Sequence, residues 1–323
     1  MYTTTSTLTF ANYWDHFLAR WGVNRMGHRV EPGLYAIGTP APESPVFVTA
    51  NYSLSFDALR AALPGIGGYI LALDTQAINV WCAAGKGTFG TDELVKRIET
   101  TGLRDLVTQR TVIVPQLGAP GIAAHQVKKQ TGFKVEYGPV RASDLPEYLK
   151  RHEATPAMRR VQFTLLDRLA VIPIEIVGGL RWMLGAAVIA YCFGGWVSSL
   201  IAIAVMLAGV ALFPILLPWL PTHDFSSKGF ILGAAIALPL AFLAVQENAD
   251  VVWWMRALEA LAPLLVLPPV VAFLALNFTG STTFTSRSGV QREIFKYVRG
   301  MAWMFILGLV LLLGLPLIRI LGG

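Results

Sequence analysis

The sequence predicts two unlike parts in one chain: an α/β domain over residues 1–160 and an all-α transmembrane domain of five helices over residues 161–323. Three observations carry this. Charge is concentrated in the first part, which holds 17 Lys/Arg and 13 Asp/Glu against 9 and 7 in the second. In the first part short apolar runs alternate with helical patterns, as in a mostly parallel sheet covered on both faces. In the second, apolar tracts reach the roughly 20 residues that cross a hydrocarbon core.

The elements follow in order. Residues 1–9 are Thr-rich and uncharged, without the basic stretch and apolar core of a secretory signal. Phe10, Tyr13, Trp14, Phe17, Leu18 and Trp21 recur at intervals of three and four, which predicts an amphipathic helix that packs on the domain or lies on lipid. His16 borders that face and reads as a solvated or core histidine. Pro32, Gly33, Pro40, Pro42 and Pro45 predict an irregular connection. Strands are expected at 46–50, 69–74 and 78–81, with a helix at 55–63; the third strand delivers Cys82 to a Gly-rich loop ending at Gly90. Thr91 caps a helix reaching about residue 100, with Asp92 and Glu93 in its first turn. A strand at 111–114, a loop at 115–121, a helix at 122–130, a strand at 133–136, a turn at 138–139 and a helix at 143–152 complete the domain. Ligands of such sheets sit at the carboxyl ends of the strands. Loops 49–53, 82–90, 115–121 and 138–139 should therefore converge.

Charge and cysteine content narrow the function. The net charge of +6 divides as +4 and +2 with no dense basic patch, which argues against nucleic acid and suits a membrane surface. Cys82 and Cys192 are too few for a disulfide scaffold or a Cys-rich metal site, and a thiolate-dependent function fits a reducing compartment. No dinucleotide fingerprint follows the first strand, and Gly85-Lys86-Gly87-Thr88 lacks the upstream glycine of a phosphate loop. Asp74, ending its strand, reads as a cap for neighbouring backbone amides or as an unassigned acid/base group, and His125 and His152 share no metal-ligand spacing with Cys82.

In the second part, spans are expected near 170–193, 196–218, 229–247, 256–277 and 301–321, after an interfacial segment from 161. With the first domain inside, cytoplasmic segments hold Arg159, Arg160, Arg168, Lys228, Arg287, Arg292, Lys296 and Arg299. The opposite side holds Glu247 and Asp250, with Arg256 and Arg319 at its margins. This is the positive-inside distribution. Glu175 and Arg181 in the first span are its weak points. The hydroxyl-rich loop 277–290 reads as a linker or as a docking surface on the inner side.

The string Asn79-Val80-Trp81-Cys82-Ala83-Ala84-Gly85-Lys86, with Gly87, Thr88 and Phe89 following, resembles the signature of the mercury-methylating corrinoid proteins, the HgcA family. Residues 44–54 and 115–121 resemble the corrinoid-binding domain in the large subunit of the corrinoid iron-sulfur protein of the acetyl-CoA pathway, a similarity running over about residues 44–150. The resemblance implies a Rossmann-like corrinoid-binding domain followed by five transmembrane helices in the cytoplasmic (inner) membrane, with the N-terminal domain in the cytoplasm. It implies a corrinoid cofactor, cobalamin or a related cobamide, and no iron-sulfur cluster in this chain. Cys82 becomes the lower axial ligand of the cobalt. Asn79 and Trp81 position its loop, Ala83, Ala84 and Gly85 let backbone approach the macrocycle, and Lys86 reaches solvent or a polar edge of the ligand. Gly87, Thr88, Phe89, Thr49, Asn51, Ser53, Gln116 and Gly118 contact the ring or its nucleotide tail.

The implied reaction is methyl transfer to Hg(II), forming methylmercury. Hg(II) is an electrophile, so the methyl group must carry one or both bonding electrons. A thiolate trans to it donates strongly and stabilises the oxidised metal. Implied partners are an HgcB-type ferredoxin with two four-iron clusters, a methyltetrahydrofolate-linked methyl donor protein, and membrane lipid. Two alternatives stand beside this reading. One is a membrane-anchored methyl carrier of one-carbon metabolism. The other is a receptor or transporter with a regulatory α/β domain, in which Cys82 only packs.

Overall fold

The computed structural model describes residues 1–247, 252–278 and 287–322. It divides into two compact units, Met1–Gln162 and Phe163–Gly323.

The first unit is a mixed sheet with helices on both faces. Its elements are β1 (Tyr2–Thr4), α1 (Phe10–Arg20), β2 (Gly33–Ile37), β3 (Val46–Ala50), α2 (Ser53–Ala61), β4 (Gly68–Leu73), α3 (Val80–Lys86), α4 (Thr91–Thr100), α5 (Leu103–Leu106), β5 (Thr111–Val114), a 3-10 segment Gln116–Gly121, α6 (Ala124–Thr131), β6 (Lys134–Tyr137), a 3-10 turn Ala142–Asp144 and α7 (Leu145–Arg151). The strand order is β1-β2-β4-β3-β5-β6. From β4 to β6 all neighbours are parallel, whereas β2 runs antiparallel to β4.

Strand alternation builds two cores. Leu71 and Leu73 of β4, with Val46, Val48, Val112 and Val114, bury one face under α3, α4 and α6. Ile70 and Ala72, with Phe47 and Ile113, bury the other under α2 and α7. This is the period-2 geometry of a strand wetted on neither side.

Three expectations are corrected. Residues 78–81 are not a strand: Asn79 caps α3 and its side chain accepts the Cys82 N–H at 2.9 Å. A run as short as Ile78-Asn79-Val80-Trp81 has no period that separates strand from helix, and the cap residue within it decides. Residues 115–121, expected as a loop, wind mostly into a 3-10 segment. The stretch read as irregular contains β2, whose five residues are all buried; Pro32 and Pro40 flank it, where no ladder donor is needed. β1 was not foreseen either, and Tyr2 stacks on Tyr35 with ring centroids 5.0 Å apart.

Helix α1 forms where the periodicity places it, but its orientation is unexpected. Its polar side faces the domain, with His16 Nε2 2.8 Å from Asp57 Oδ2, while Phe10, Tyr13, Trp14 and Phe17 are exposed.

The second unit is helical: α8 (Leu165–Leu207), a π-helical turn Ala208–Leu212, α9 (Phe213–Leu216), α10 (Phe225–Glu247), α11 (Trp253–Asn277) and α12 (Arg287–Gly322). Among the described residues four helical stretches are long and apolar enough to cross a membrane: Leu165–Leu216, Phe225–Gln246, Trp253–Asn277 and Gly289–Ile318. Sequence had suggested five. The first two expected spans lie in one continuous stretch, which departs from helical geometry at Gly194 (φ −142°, ψ 15°) and Gly195 (φ 69°, ψ −165°). Buried Arg168 donates to the Pro214 carbonyl at 3.2 Å and to that of Ile215, and lies 5.6 Å from the Trp219 ring centroid. Asp250 and residues 279–286 of the hydroxyl-rich loop, both used in the sequence reading, lie outside the described residues.

Candidate functional site

The parallel strands place β4 on one side of β3 and β5 on the other, so the β3-to-β4 and β4-to-β5 connections run in opposite directions along the sheet. In open α/β sheets the crevice outside the carboxyl ends at such a reversal is where ligands bind. Helix α3, which follows β4, packs against both β3 and the 3-10 segment Gln116–Gly121 that follows β5. It therefore lies across that crevice.

The approach to α3 is held by Asn51, 1% exposed just past the end of β3. Its side-chain carbonyl accepts from the Thr75 N–H (3.0 Å), the Thr75 hydroxyl (2.9 Å) and the Ala77 N–H (3.3 Å). Gln76 and Ala77 are both left-handed, at φ 57° and 56°. Non-glycine residues reach that region at a cost of roughly 1–3 kcal/mol each and keep it only where the surroundings fix it. The Asn51 bonds, with Asp74 Oδ1 accepting the Gln76 N–H at 3.2 Å, supply the constraint. The single Thr75 O–H is shared between Asn51 Oδ1 and the Ile78 carbonyl, which lies 2.7 Å away.

Within α3 the small residues decide what faces where. Val80, Ala83 and Ala84 are buried against the sheet, whereas Trp81 and Cys82 are half-buried and Gly85 and Lys86 exposed. Spacings of three and four put Cys82, Gly85 and Lys86 on one outward face. A Cβ at Gly85 or at Gly87 would meet nothing within 4 Å. Past the helix, Thr88 Oγ1 is buried with no hydrogen-bond partner, and Phe89 is fully buried. A Cβ at Gly118 would lie 2.4 Å from the Phe89 ring, and one at Gly121 would lie 2.1 Å from the Phe89 carbonyl oxygen. Glycine at both positions is what lets the 3-10 segment close on the α3 loop.

The expected site residues divide accordingly. Residues Asn79 to Phe89, Gly118 and, through the lead-in turn, Asn51 are brought together. Three others are turned elsewhere. Thr49 alternates with Val48 and Ala50 and shares the sheet face of Phe47, opposite α3. Ser53 donates its hydroxyl to Asp15 at 2.5 Å. Gln116 Oε1 accepts from Arg159 at 2.8 Å. The turn 138–139 does reach the cluster, since Pro139 O accepts the Gln116 N–H at 3.3 Å. Sequence reasoning missed Thr75, wholly buried; its signal is a Thr following a strand-end Asp and three residues ahead of an apolar position. Among the described residues no group of three or more His, Cys, Asp or Glu is placed to hold a metal ion.

Comparison with known proteins points to the same region. Residues 23–149 match the family model described as CO dehydrogenase/acetyl-CoA synthase delta subunit. That match spans every residue of the cluster. The chain is 32% identical over 126 residues to the acetyl-CoA decarbonylase/synthase complex subunit gamma of Archaeoglobus fulgidus, covering 38% of this chain and 26% of that protein. It is 33% identical over 129 residues to the subunit of the same description from Methanopyrus kandleri, covering 39% and 28%. The chain thus spans about a quarter of the length of these relatives, and the family match ends before the second unit begins.

Proposed function

We propose that this protein is a membrane-bound, corrinoid-dependent methyltransferase that passes a methyl group from cobalt to Hg(II), forming methylmercury. The observation that carries the reading is the setting of Cys82. It is a half-buried thiol on the outward face of a capped helix at the sheet's carboxyl edge, beside open space at Gly85 and Gly87. Two observations suit a flat macrocycle there: an added Cβ at Gly85 or Gly87 would meet nothing within 4 Å, and the buried Thr88 hydroxyl behind the helix has no partner in the protein.

When bound, the corrinoid supplies a cobalt–carbon bond whose methyl group leaves with bonding electrons. The chain's residues divide the remaining work. Cys82 Sγ would be the chain's donor to the cobalt, and as thiolate it would make the metal electron-rich. Asn79 fixes the turn that presents it. Asn51 and Thr75 hold the strained lead-in, and Gly118 and Gly121 let Phe89 lock the far end. Lys86 stands one turn from Cys82 toward a polar edge of the ligand.

We read the second unit as five crossings. The stretch Leu165–Leu216 has 52 residues, roughly 80 Å as a continuous helix, against about 30 Å of hydrocarbon. The Gly194–Gly195 break divides it into two spans. Arg159, Arg160, Arg168, Lys228, Arg292, Lys296 and Arg299 then lie on the cytoplasmic side with the first unit. An HgcB-type ferredoxin and a methyltetrahydrofolate-linked donor protein are the partners this reaction requires, as electron and methyl sources.

A second reading, a membrane-anchored corrinoid methyl carrier of the acetyl-CoA pathway, is favoured by the similarity of residues 23–149 to that family. Full-length protein reconstituted with cobamide separates the two. The expected result is a visible corrinoid spectrum that shifts in Cys82→Ser and Cys82→Ala, with methylmercury formation lost in Cys82→Ala. Unchanged mercury methylation in that variant overturns the first reading. Methyl uptake followed by transfer to an acetyl-CoA synthase, without mercury methylation, supports the carrier. A colourless reconstituted protein excludes both.

A further inference from the structure

Helix α1 is amphipathic in the reverse sense. Its polar residues point into the domain: His16 pairs with Asp57 at 2.8 Å, and Asp15 accepts from His28 at 2.7 Å and from Ser53 at 2.5 Å. Its aromatic residues point out. Phe10 is 82% exposed, Tyr13 60% and Trp14 52%, with Phe17 and Trp21 beside them and Met26 just beyond. Trp14 and Phe17 stack with centroids 5.3 Å apart, so the surface is contiguous.

The charge on this surface has one sign. Arg20, Arg25 and Arg29 are exposed, and Asp15, the one carboxylate between residues 10 and 29, is engaged by His28 and Ser53. Trp and Tyr with arginine at one border is the composition of a helix lying in a lipid headgroup layer, where the rings bury apolar edges and the cations meet anionic groups. A lipid surface is also close in sequence. The first unit ends at Gln162 and the first long apolar helix begins at Leu165, with two residues between them.

We propose that the outward face of α1, with the basic turn after it, is a second membrane-binding site that docks on the headgroup layer of an anionic bilayer. The proposal rests on the reading of the second unit as membrane-spanning. It gives α1 a consequence for the candidate site, because residues 23–30 run over the end of β3. The Val30 N–H donates to the Asn51 carbonyl at 2.9 Å, and the Ser53 N–H to that of His28 at 3.0 Å. Docking α1 on lipid fixes the tilt of that sheet edge against the membrane surface.

The test uses the full chain in nanodiscs of phosphatidylcholine, with or without phosphatidylglycerol, doped with a photoactivatable phospholipid, and maps adducts by mass spectrometry. Adducts are expected on peptides covering residues 10–26 as well as on the long helices, with higher yield in anionic discs. Trp14→Ser with Trp21→Ser should lower the α1 yield several-fold while leaving adducts on the long helices and the bound-cobamide spectrum unchanged. Phe10→Ser, at a residue with almost no contacts to lose, should act in the same direction without risk to folding. Arg20→Gln with Arg25→Gln and Arg29→Gln should abolish the preference for anionic lipid. Adducts confined to residues 165–318 overturn the proposal, whether a partner protein or a second copy covers the face instead. If those helices also remain unlabelled, it is the membrane reading that has failed.

Discussion

The Asn51 side-chain carbonyl accepts two hydrogen bonds from a single residue, Thr75, one from its N–H at 3.0 Å and one from its hydroxyl at 2.9 Å. The first residue lies at the end of β3 and the second just past the end of β4, so one amide ties two strand ends together under the turn that leads to Cys82.

Removing that amide should be felt locally and globally. Asn51→Ala leaves the buried Thr75 and Ala77 N–H groups without their acceptor, at a cost of about 2–4 kcal/mol, while the Thr75 hydroxyl keeps the Ile78 carbonyl. The left-handed Gln76 and Ala77 lose their constraint with it. We expect a lower thermal midpoint, faster hydrogen exchange across residues 74–80, and loss of bound cobamide. Asn51→Asp keeps an acceptor and should retain much of the stability. A variant with unchanged exchange at residues 74–80 contradicts the role given to Asn51.

Glycines in the cluster should separate packing from ligand access. Gly118→Ala puts a methyl group 2.4 Å from the Phe89 ring and should destabilise by about 1–3 kcal/mol through overpacking. Gly85→Ala meets nothing within 4 Å and, inside a helix, should stabilise by about 0.5–1 kcal/mol. If the macrocycle lies over that face, the same methyl group obstructs it. Cobamide content should therefore fall in Gly85→Ala while the melting temperature holds or rises. Measured together, full cobamide content in Gly85→Ala would move the seat away from α3.

These two cases also mark what could be read in advance. The alternation of apolar runs and helical patterns was enough to lay out β3, β4 and β5 with α2 and α4 between them, and the rule for parallel sheets brought the 82–90 and 115–121 segments together. What escaped was decided by hydrogen bonds between residues far apart in sequence. Nothing near Asn51 announces that its acceptor serves residues 75 and 77, some two dozen positions on. The short run Ile78, Val80 and Trp81 before Cys82 fits a strand as well as a helix until Asn79 among them is seen as a cap. The alternation that aims Thr49 away from α3 depends on register, which composition does not carry. β2 hid among prolines that lie at its flanks.

The second unit offers a test independent of any cofactor. The Glu293 carboxylate, 8% exposed, accepts the Phe225 N–H at 3.2 Å and the Ser226 N–H and hydroxyl at 3.0 and 2.9 Å. A residue of α12 thus caps the start of α10, satisfying donors that no helical turn can reach. Glu293→Ala should cost about 1–3 kcal/mol, the range for orphaned buried donors. Glu293→Gln, which keeps one carbonyl, should cost less. Thermal unfolding in detergent, followed by tryptophan fluorescence, should rank them in that order. An unaffected Glu293→Ala protein would show that α10 is held by its apolar contacts alone.

Docking of α1 should depend on pH, with the sign set by two groups. His28 has an acceptor on each ring nitrogen, Asp15 Oδ1 at 2.7 Å and the Val23 carbonyl at 2.6 Å, and only the imidazolium donates to both. Burial works against that charge, but the hydrogen bonds to Asp15 and Val23 and the Asp15 charge outweigh it and hold the His28 pKa above its ordinary 6.5. A raised value means that His28 stabilises the docked state fully below 6.5 and ceases to do so as pH climbs through the folded-state value. For Asp57, burial disfavours the carboxylate, yet hydrogen bonds from His16 and Arg60 and their charges hold its pKa below the ordinary 3.8. Its contribution is present above 3.8 and is lost as pH falls through the folded-state value. The two windows overlap between 3.8 and 6.5, where α1 should be held most firmly. Hydrogen exchange over residues 10–29 of the intact chain, corrected for intrinsic rates, should accelerate as pH rises above 6.5 through the folded-state value of His28. His28→Gln, which cannot take up the second proton, should flatten that rise. A wild-type profile that is already flat across the same interval would mean that His28 stays neutral, and that one of its two short contacts is not a hydrogen bond.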